Sequence, residues 1–314
     1  MNYTQSNMQM PNFDIAYPPL QSLNLVDDFL FDVTTEDLEA CKIIIELALG
    51  ITLKEIRWKE GQKVLHNLPG QRGIRMDFYA IDIENRIFNV EMQKRKQGNI
   101  PKRTRFYQGL VDAPLLKTGE SGFDNLNPLC IVVICDFDLY GYGKYRYTFT
   151  NRCHEVDGLE LGDESSKIIL NTKGSNEDEV ESTLVNFLHY VSNSTSDSLS
   201  PECDPRLQYL HNKISQIKAS EQMEAAYMKM EERDRMIREE AEHLGIEKGR
   251  ELGISEGREL GISEGQELGI SKTIHTFILS ARKNGISDTD LYDMLQMYFQ
   301  LSSAETDKLF ASIK

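Results

Sequence analysis

The chain has 314 residues, 40% of them hydrophobic, and a formal net charge of −15 at pH 7. This length suits about two domains, and the apolar content suits a folded core rather than a disordered chain. The acidic balance argues against non-specific coating of nucleic acid, because phosphate binding is driven by Lys and Arg that release counterions. The five cysteines form no CxxC pair, which favours a reducing compartment and argues against structural zinc.

The N-terminal 24 residues are rich in Asn, Gln and Pro and are predicted to form a loose arm. They lack the basic segment and following apolar segment of a signal peptide. No apolar run in the chain approaches the ~20 residues that a membrane helix needs. We therefore expect a cytoplasmic protein with no membrane partner.

Regular hydrophobic spacing predicts the next elements in chain order. Residues 36–49 carry apolar side chains at helical spacing, and Gly50 is a suitable helix stop. Pro101 suits the first turn of a helix that runs to about residue 116. The pattern then predicts a fully buried central strand at 129–135, a less buried strand at 144–150, a further strand at 167–171 and an amphipathic helix at 177–191.

Residues 73–95 show a period of two that predicts a β-hairpin. Apolar side chains fall on one side of both strands. Asp77 and Tyr79 fall on the other side of the first strand, and Glu91 and Gln93 fall on the matching side of the second. Two faces that carry polar residues therefore meet across the hairpin.

The hairpin register follows if its bend is centred on Glu84. Asp82 then lies opposite Arg86 and the loop has three residues, which is a common hairpin length. In this register Asp77 lies beside Glu91. Directly opposed like charges destabilise a sheet, so two carboxylates in this arrangement need a cation between them.

Magnesium or manganese suits such a pair, because both ions prefer carboxylate oxygens and keep open water positions. Gln93 points to the same face, two residues beyond Glu91. A solvated polar strand face is the alternative interpretation, since an acidic chain places many carboxylates on its surface. The residue pattern alone leaves both interpretations open.

A local excess of positive charge follows the hairpin, since residues 91–107 hold six basic residues and one acidic residue. These side chains either contact phosphates or form a solvated face. The candidate DNA-binding residues are Lys94, Lys96, Lys102, Arg103 and Arg105.

The sequence after residue 195 is predicted to be helical, with an extension at 196–243, a glycine-repeat spacer at 244–271 and a tail at 272–314 broken at Gly285. Seven glycines recur every four residues in the repeat, and each costs about 1 kcal/mol in a helix relative to Ala. The segment is either a fraying helical spacer or a helix held by a partner. A homo-oligomer formed through this region is one outcome.

Seven segments together give the chain a family resemblance: DDFLF (27–31), RMDFYAID (75–82), FNVEMQ (88–93), PKRTRFYQGLVD (101–112), LCIVVICDFDLYG (129–141), YTFTN (147–151) and ILNTKG (169–174). The succession resembles the prokaryotic Rpn family of recombination-promoting nucleases, also described as transposases. This family lies within the PD-(D/E)XK nuclease superfamily, and the resemblance spans about residues 25–195.

The resemblance implies an α/β fold with a restriction-endonuclease-like mixed sheet flanked by helices and followed by a helical C-terminal region. The Asp and Glu of the superfamily motif correspond to Asp77 and Glu91. The usual Lys corresponds to Gln93, which is neutral and can only orient water by hydrogen bonds. Asp28 is the candidate for the upstream acidic position, with Glu46 as the second choice.

The resemblance also implies a magnesium-dependent DNA endonuclease, with Tyr107 supporting the site. DNA rather than RNA follows from the family alone. A non-catalytic protein that binds DNA or another partner on a nuclease-like scaffold is the alternative. A strand-joining transposase would need a second site for a DNA end, which the sequence does not indicate.

Overall fold

The computed structural model describes residues 17–65, 74–96, 99–116, 122–200 and 202–312. The chain divides into two compact units at Glu231 and Glu232. The first unit holds the sheet and the predicted site, and the second is helical.

Two short helices open the first unit. Helix α1 spans Asp28–Thr34 and helix α2 spans Leu38–Leu49. Asp37 caps α2 by accepting the Ala40 backbone N–H at 3.0 Å, which satisfies a donor that the first helical turn leaves free. Gly50 ends α2 with φ of 68°, a left-handed conformation that favours glycine. The predicted helix and its stop are confirmed.

A mixed six-stranded sheet forms the centre of this unit, in the order β1-β2-β3-β4-β6-β5. Strands β3, β4 and β6 are parallel, whereas the β1–β2, β2–β3 and β5–β6 pairs are antiparallel. The strands are β1 Ile56–Leu65, β2 Ile74–Asp82, β3 Ile87–Gln93, β4 Leu129–Cys135, β5 Arg146–Phe149 and β6 Ser165–Asn171. The predicted mixed sheet with flanking helices is confirmed.

Strand β4 was predicted with its observed bounds, because an unbroken apolar run is typical of a strand with both faces covered. Strand β1 was not predicted. Its sequence, IRWKEGQKVL, mixes four charged residues with a glycine and shows no clear alternation. As an edge strand it pairs only with β2, so its pattern is weakly constrained.

The two faces of the sheet pack into separate apolar clusters. One cluster joins Phe78 and Val90 to residues of α1, α2 and two later helices, α4 (Ser182–Ser192) and α5 (Pro205–Lys218). The other joins Tyr79 and Ile131 to helix α3 (Ile100–Asp112). Alternate residues of one strand therefore face different helices.

The first unit is larger than the predicted core of residues 25–195. Leu207 and Ile214 of α5, and Tyr227 beyond it, are buried in the same cluster as the sheet. The predicted loose arm also needs correction where it is described, since Leu20 and Leu23 are 1% and 2% exposed. Residues 1–16 of that arm lie outside the described residues.

Helix α6 spans Glu221–Lys283 and includes the whole glycine repeat. Residues 244–270 are exposed, and a Cβ added at any of the seven glycines would meet nothing within 4 Å. The self-association expected from the sequence stays a prediction. Among the described residues, no helix is both long enough and apolar enough to cross a membrane.

The second unit ends in two short helices, α7 (Asp288–Phe299) and α8 (Ser303–Ser312). Ile278 at the end of α6 packs with Leu291 and Leu295 of α7. Gly285 separates the helices with φ of 82°, so the predicted break is confirmed.

Candidate active site

The β2–β3 hairpin has the predicted register. Phe78 pairs with Val90, and Ile81 pairs with Ile87. The Asp82 N–H donates to the Arg86 carbonyl oxygen at 3.1 Å, which closes the three-residue loop. Asn85 takes φ of 61°, the left-handed residue that such loops require.

Asp82 holds this turn through its side chain. Its Oδ1 accepts the N–H groups of Glu84 and Arg86, each at 2.9 Å, and its Oδ2 accepts the Arg86 Nε at 2.7 Å. Because a shift of one residue would turn every β3 side chain to the other face, this clamp fixes which residues meet across the hairpin.

Asp77 and Glu91, here called the carboxylate pair, lie just beyond the last paired residues of β2 and β3. The Asp77 N–H donates to Glu91 Oε1 at 3.3 Å, and the Met92 N–H donates to Asp77 Oδ2 at 2.8 Å. In a continued ladder Met92 would lie opposite Met76. The backbone pairing of β2 with β3 instead ends at Phe78 and Val90, and carboxylate oxygens take over as acceptors.

The face that carries the pair is covered rather than solvated. Asn89 is 0% exposed and Glu91 is 2% exposed, and Tyr79 on the same face is buried beside α3. The alternative of a solvated polar strand face is therefore wrong for Asn89 and Glu91, whereas Asp77 and Gln93 are half-buried. Buried carboxylates cost free energy unless they are paired or bind a cation.

Helix α3 brings two further side chains to the pair. The Tyr107 hydroxyl donates to Glu91 Oε2 at 3.4 Å. Arg103 lies one turn earlier on the same side of the helix, with its guanidinium carbon 5.8 Å from the centre of the Tyr107 ring. The helix starts at Ile100 because Asn99 caps it by accepting the Lys102 N–H at 3.2 Å.

Burial and mutual repulsion shift the acid–base behaviour of the pair. Burial raises the pKa of Asp77 to about 6, and the charges of Asp28 and Asp32 add to this, whereas the Met92 N–H and Arg103 oppose it. Burial, followed by the charge of Asp77, raises the pKa of Glu91 well above its ordinary value. Two ionised carboxylates are therefore unfavourable here unless a cation joins them.

Arg103 is the cation of this face, and part of its charge is unpartnered. Its Nε and Nη2 atoms are buried and have no hydrogen-bond acceptor among the described residues. Buried guanidinium donors without acceptors are uncommon and suggest a missing anionic partner. A guanidinium can bind two oxygens of a phosphate at once.

The other predicted basic residues do not meet the carboxylate pair. Lys94 forms an ion pair with Asp27, at the start of α1. Lys96, Lys102 and Arg105 are exposed. The predicted basic patch thus divides into one side chain at the pair, one paired with Asp27 and three on the surface.

Gln93 and the upstream acidic candidates have distinct surroundings. Gln93 Nε2 donates to the Met92 carbonyl oxygen at 2.7 Å. Asp28 is exposed on α1 and acts on Asp77 through its charge. Glu46 is structural, because its oxygens accept the Leu53 N–H at 2.8 Å and pair with Arg206 at 3.5 Å.

Asp32 was missed in the sequence, although its charge also acts on Asp77. It lies four residues after Asp28, so both fall on one side of α1. That spacing was a usable signal, since the segment DDFLFD places two acidic residues one helical turn apart.

No group of three or more His, Cys, Asp or Glu side chains in the described ranges forms a complete metal cage. The pair nevertheless suits magnesium, which usually keeps several waters and binds through one or two carboxylates plus substrate phosphates. Its oxygen donors are hard ligands, and the raised pKa values indicate that two negative charges are unfavourable there without a cation.

Comparison with known proteins identifies the family of the chain. A family model described as PD-(D/E)XK nuclease family transposase matches residues 51–244, which is more than half of the chain. The match includes β2, β3 and α3 and continues past residue 195, through α5 and into α6. No curated protein and no solved structure matched the chain. The mixed sheet, the carboxylate pair on its hairpin and this match lead to one conclusion: the chain belongs to the PD-(D/E)XK nuclease family of transposases.

Proposed function

We propose that the protein is a magnesium-dependent endonuclease that hydrolyses phosphodiester bonds of DNA. The observation that supports this most directly is the carboxylate pair, in which Glu91 is buried and Asp77 is half-buried, retained at a position where repulsion and burial both cost stability. Strongly shifted carboxyl groups of this kind cluster at functional sites.

Asp77 and Glu91 would hold the metal ion, with manganese as a substitute for magnesium. When bound, the ion lowers the pKa of its water ligand and offsets negative charge on the phosphate. Tyr107 orients Glu91 through its hydroxyl, and the Met92 N–H does the same for Asp77. These contacts fix the orientation of both carboxylates.

Arg103 binds the phosphate to be cleaved. Its Nε and Nη2 groups are buried and lack acceptors among the described residues, so a small movement of the side chain would let a non-bridging phosphate oxygen accept from them without replacing an existing hydrogen bond. Fixed donors that face a phosphoryl group stabilise the charge that develops in the transition state.

Gln93 orients the attacking water. Its Nε2 donates to the Met92 carbonyl oxygen, which fixes the amide and leaves its own oxygen as a hydrogen-bond acceptor. Exposed Lys96, Lys102 and Arg105 contact neighbouring phosphates along the DNA. The strand breaks made in this way would promote recombination.

Gln93 also favours the second candidate function, a non-catalytic DNA-binding or partner-binding protein. The residue stands where the superfamily pattern has a lysine, and a neutral amide supplies neither charge nor a proton. Binding without cleavage would keep the roles of Arg103 and the surface cations but would not need the metal.

Plasmid cleavage distinguishes the endonuclease from the non-catalytic binding protein. Supercoiled plasmid is incubated with the full chain, with and without magnesium. We expect nicked and linear DNA only with the metal and only if both carboxylates are present. Glu84→Gln is a matched control, because Glu84 is an exposed acid in the loop of the same hairpin. Plasmid binding without nicking would favour the non-catalytic function.

A further inference from the structure

The loop that follows β4, residues 136–144, is here called the Tyr-Gly loop, and it begins against the candidate active site. The Asp136 N–H donates to the Gln93 carbonyl oxygen at 3.0 Å. Strands β3, β4 and β6 are parallel and in register, with Gln93 level with Cys135 and Cys135 level with Asn171. The segments after these three strands therefore leave the sheet at one edge.

The Tyr-Gly loop is held in a defined conformation by one carboxylate. Asp138 Oδ1 accepts the N–H groups of Tyr140 and Gly141 at 3.0 and 2.9 Å, and its Oδ2 accepts the Gly143 N–H at 2.7 Å. The Tyr147 hydroxyl also donates to Asp138 Oδ1 at 2.9 Å. This carboxylate is thus directed into the loop rather than toward solvent.

Two glycines let the loop turn closely. Gly141 and Gly143 have φ of 79° and 66°, backbone conformations that residues with a side chain rarely adopt. The Ser175 N–H donates to the Gly143 carbonyl oxygen at 2.8 Å, and a Cβ at Gly143 would lie 2.7 Å from the Ser175 hydroxyl oxygen. The loop is therefore fastened to the segment after β6.

Between the two glycines the chain presents an aromatic side chain to solvent. Tyr142 is 78% exposed, whereas Tyr140 packs its ring 5.0 Å from that of Tyr147 and lies against the apolar cluster of α3. Packing in the apolar cluster accounts for an aromatic residue at Tyr140, but it does not account for one at the exposed Tyr142. An aromatic ring on a rigid loop has little conformational entropy to lose when it stacks on a ligand.

Cations lie at the same edge of the sheet. Lys173 follows β6, is 54% exposed at its side chain, and neutralises Asp136 across 2.9 Å. Lys96 follows β3 and is exposed. Phosphate-binding cations interleaved with an aromatic ring form the usual surface for a single nucleic-acid strand, in which bases stack on the ring.

We propose that Tyr142 stacks on an unpaired nucleobase of the DNA substrate, so that the protein prefers DNA with a single-stranded segment beside the scissile phosphate. The inference rests on the proposed function, because it assigns the substrate class of the same site. Lys173 and Lys96 contact the phosphates on either side of that base.

Fluorescence anisotropy on the full chain tests the proposal, with Ca²⁺ in place of Mg²⁺ and with one labelled oligonucleotide used single-stranded and as a duplex. We expect Tyr142→Ala to weaken single-strand binding about tenfold or more, with less than about a twofold change for the duplex. Tyr142→Phe should bind like the native protein, because stacking needs the ring and not the hydroxyl.

Phe123→Ala is the matched control. Phe123 is 75% exposed and precedes β4, so it lies at the other end of that strand, and its loss should leave both affinities unchanged. Unchanged single-strand binding by Tyr142→Ala, or equal losses on both DNA forms, would overturn the proposal. Failure of the proposed function would be a separate result. Tyr142→Ala would then still weaken single-strand binding, but the native chain would not nick plasmid with Mg²⁺.

Discussion

The carboxylate pair and the glycine repeat of α6 are two polar parts of one chain in opposite surroundings. Glu91 is 2% exposed and sits between strand and helix, whereas Leu252 of the repeat is 64% exposed. Charge is buried in the first region and apolar surface is exposed in the second. Both arrangements are locally unfavourable, but the carboxylates of the first are held by specific hydrogen bonds, whereas the apolar side chains of the second are exposed. A costly arrangement that the surrounding fold actively maintains is the stronger indication of chemistry.

Removing either carboxylate should have the largest effect on DNA cleavage. We expect Asp77→Ala and Glu91→Ala each to lower the rate of plasmid nicking by about a thousandfold, because each removes a ligand of the same metal ion. The double variant should lose little more, since residues that act as a unit are not additive. Nicking within about tenfold of the native rate would remove that residue from the site.

Arg103→Lys should have the next largest effect. A lysine ammonium cannot present the paired donors of a guanidinium, so we expect nicking to fall about a hundredfold with the fold intact. Circular dichroism and thermal unfolding check the fold. Arg105→Lys, two residues along the same helix but exposed, is the control and should stay close to the native rate.

The carboxylate pair should stabilise the metal-free protein less as the pH rises from about 4 to 6. Asp77 has a pKa of about 6 in the folded chain against an ordinary 3.8, so the folded state binds its proton more tightly than the unfolded state. The stabilisation is full below the unfolded value and is lost as the pH passes the folded one. Glu91, with its raised pKa, acts in the same direction.

Urea unfolding in a chelating buffer measures this dependence, and Asp77→Asn should flatten it. Added Mg²⁺ should restore stability near pH 7, because it binds the charged form of the folded protein. If the difference in unfolding free energy between the native protein and Asp77→Asn stayed constant from pH 4 to 6 in the same chelating buffer, the assigned environment of the pair would be wrong.

Substitution of the exposed cations should have a smaller effect, on DNA binding, and this effect should be similar for each residue. We expect each of three single variants, Lys96→Gln, Lys102→Gln and Arg105→Gln, to weaken DNA binding a few-fold. Each should also reduce the slope of log affinity against log salt concentration by about one. Titrations at several salt concentrations measure the slope. A constant slope in all three variants would leave these side chains as a solvated face.

The glycine repeat should give the smallest effect on catalysis. A chain ending at Glu231, the limit of the first compact unit, should keep magnesium-dependent nicking. In the full chain Gly257→Ala should stabilise the helix by about 1 kcal/mol, seen as greater helicity, because nothing obstructs a Cβ there. Sedimentation of the full and shortened chains tests the predicted self-association. Loss of nicking in a folded, shortened chain would assign the repeat a catalytic role.

Hairpin register was predictable because side chains alternate strictly along a strand and the short loop allows few alignments. The sequence alone was therefore enough to place Asp77 and Glu91 side by side. Their burial could not, because alternation shows which residues share a side and not what covers that side. The covering helix α3 comes from a later segment, and its contact with Glu91 depends on tertiary packing.

The same limit explains why the sequence could not separate Arg103 from the other basic residues or place α5 with the core. Arg103 and Arg105 look alike in a sequence, but one turn of helix separates Arg103 from Tyr107 and brings only Arg103 to the pair. The end of the core near residue 195 followed a turn-rich composition, whereas α5 returns its apolar side chains to the sheet. A turn-rich segment shows where a regular element ends, but it does not show where the hydrophobic core ends.

The three-residue turn clamped by Asp82 has a consequence for how the protein tolerates change in length. A residue inserted between Asp82 and Arg86 would rotate β3 by one position, and Glu91 would then face the cluster of Phe78 and Val90 instead of α3. Substitutions in this turn change local contacts such as those of Asp82, whereas an insertion or deletion would separate the two carboxylates entirely. The length of the turn is therefore more tightly constrained than the identity of its exposed side chains.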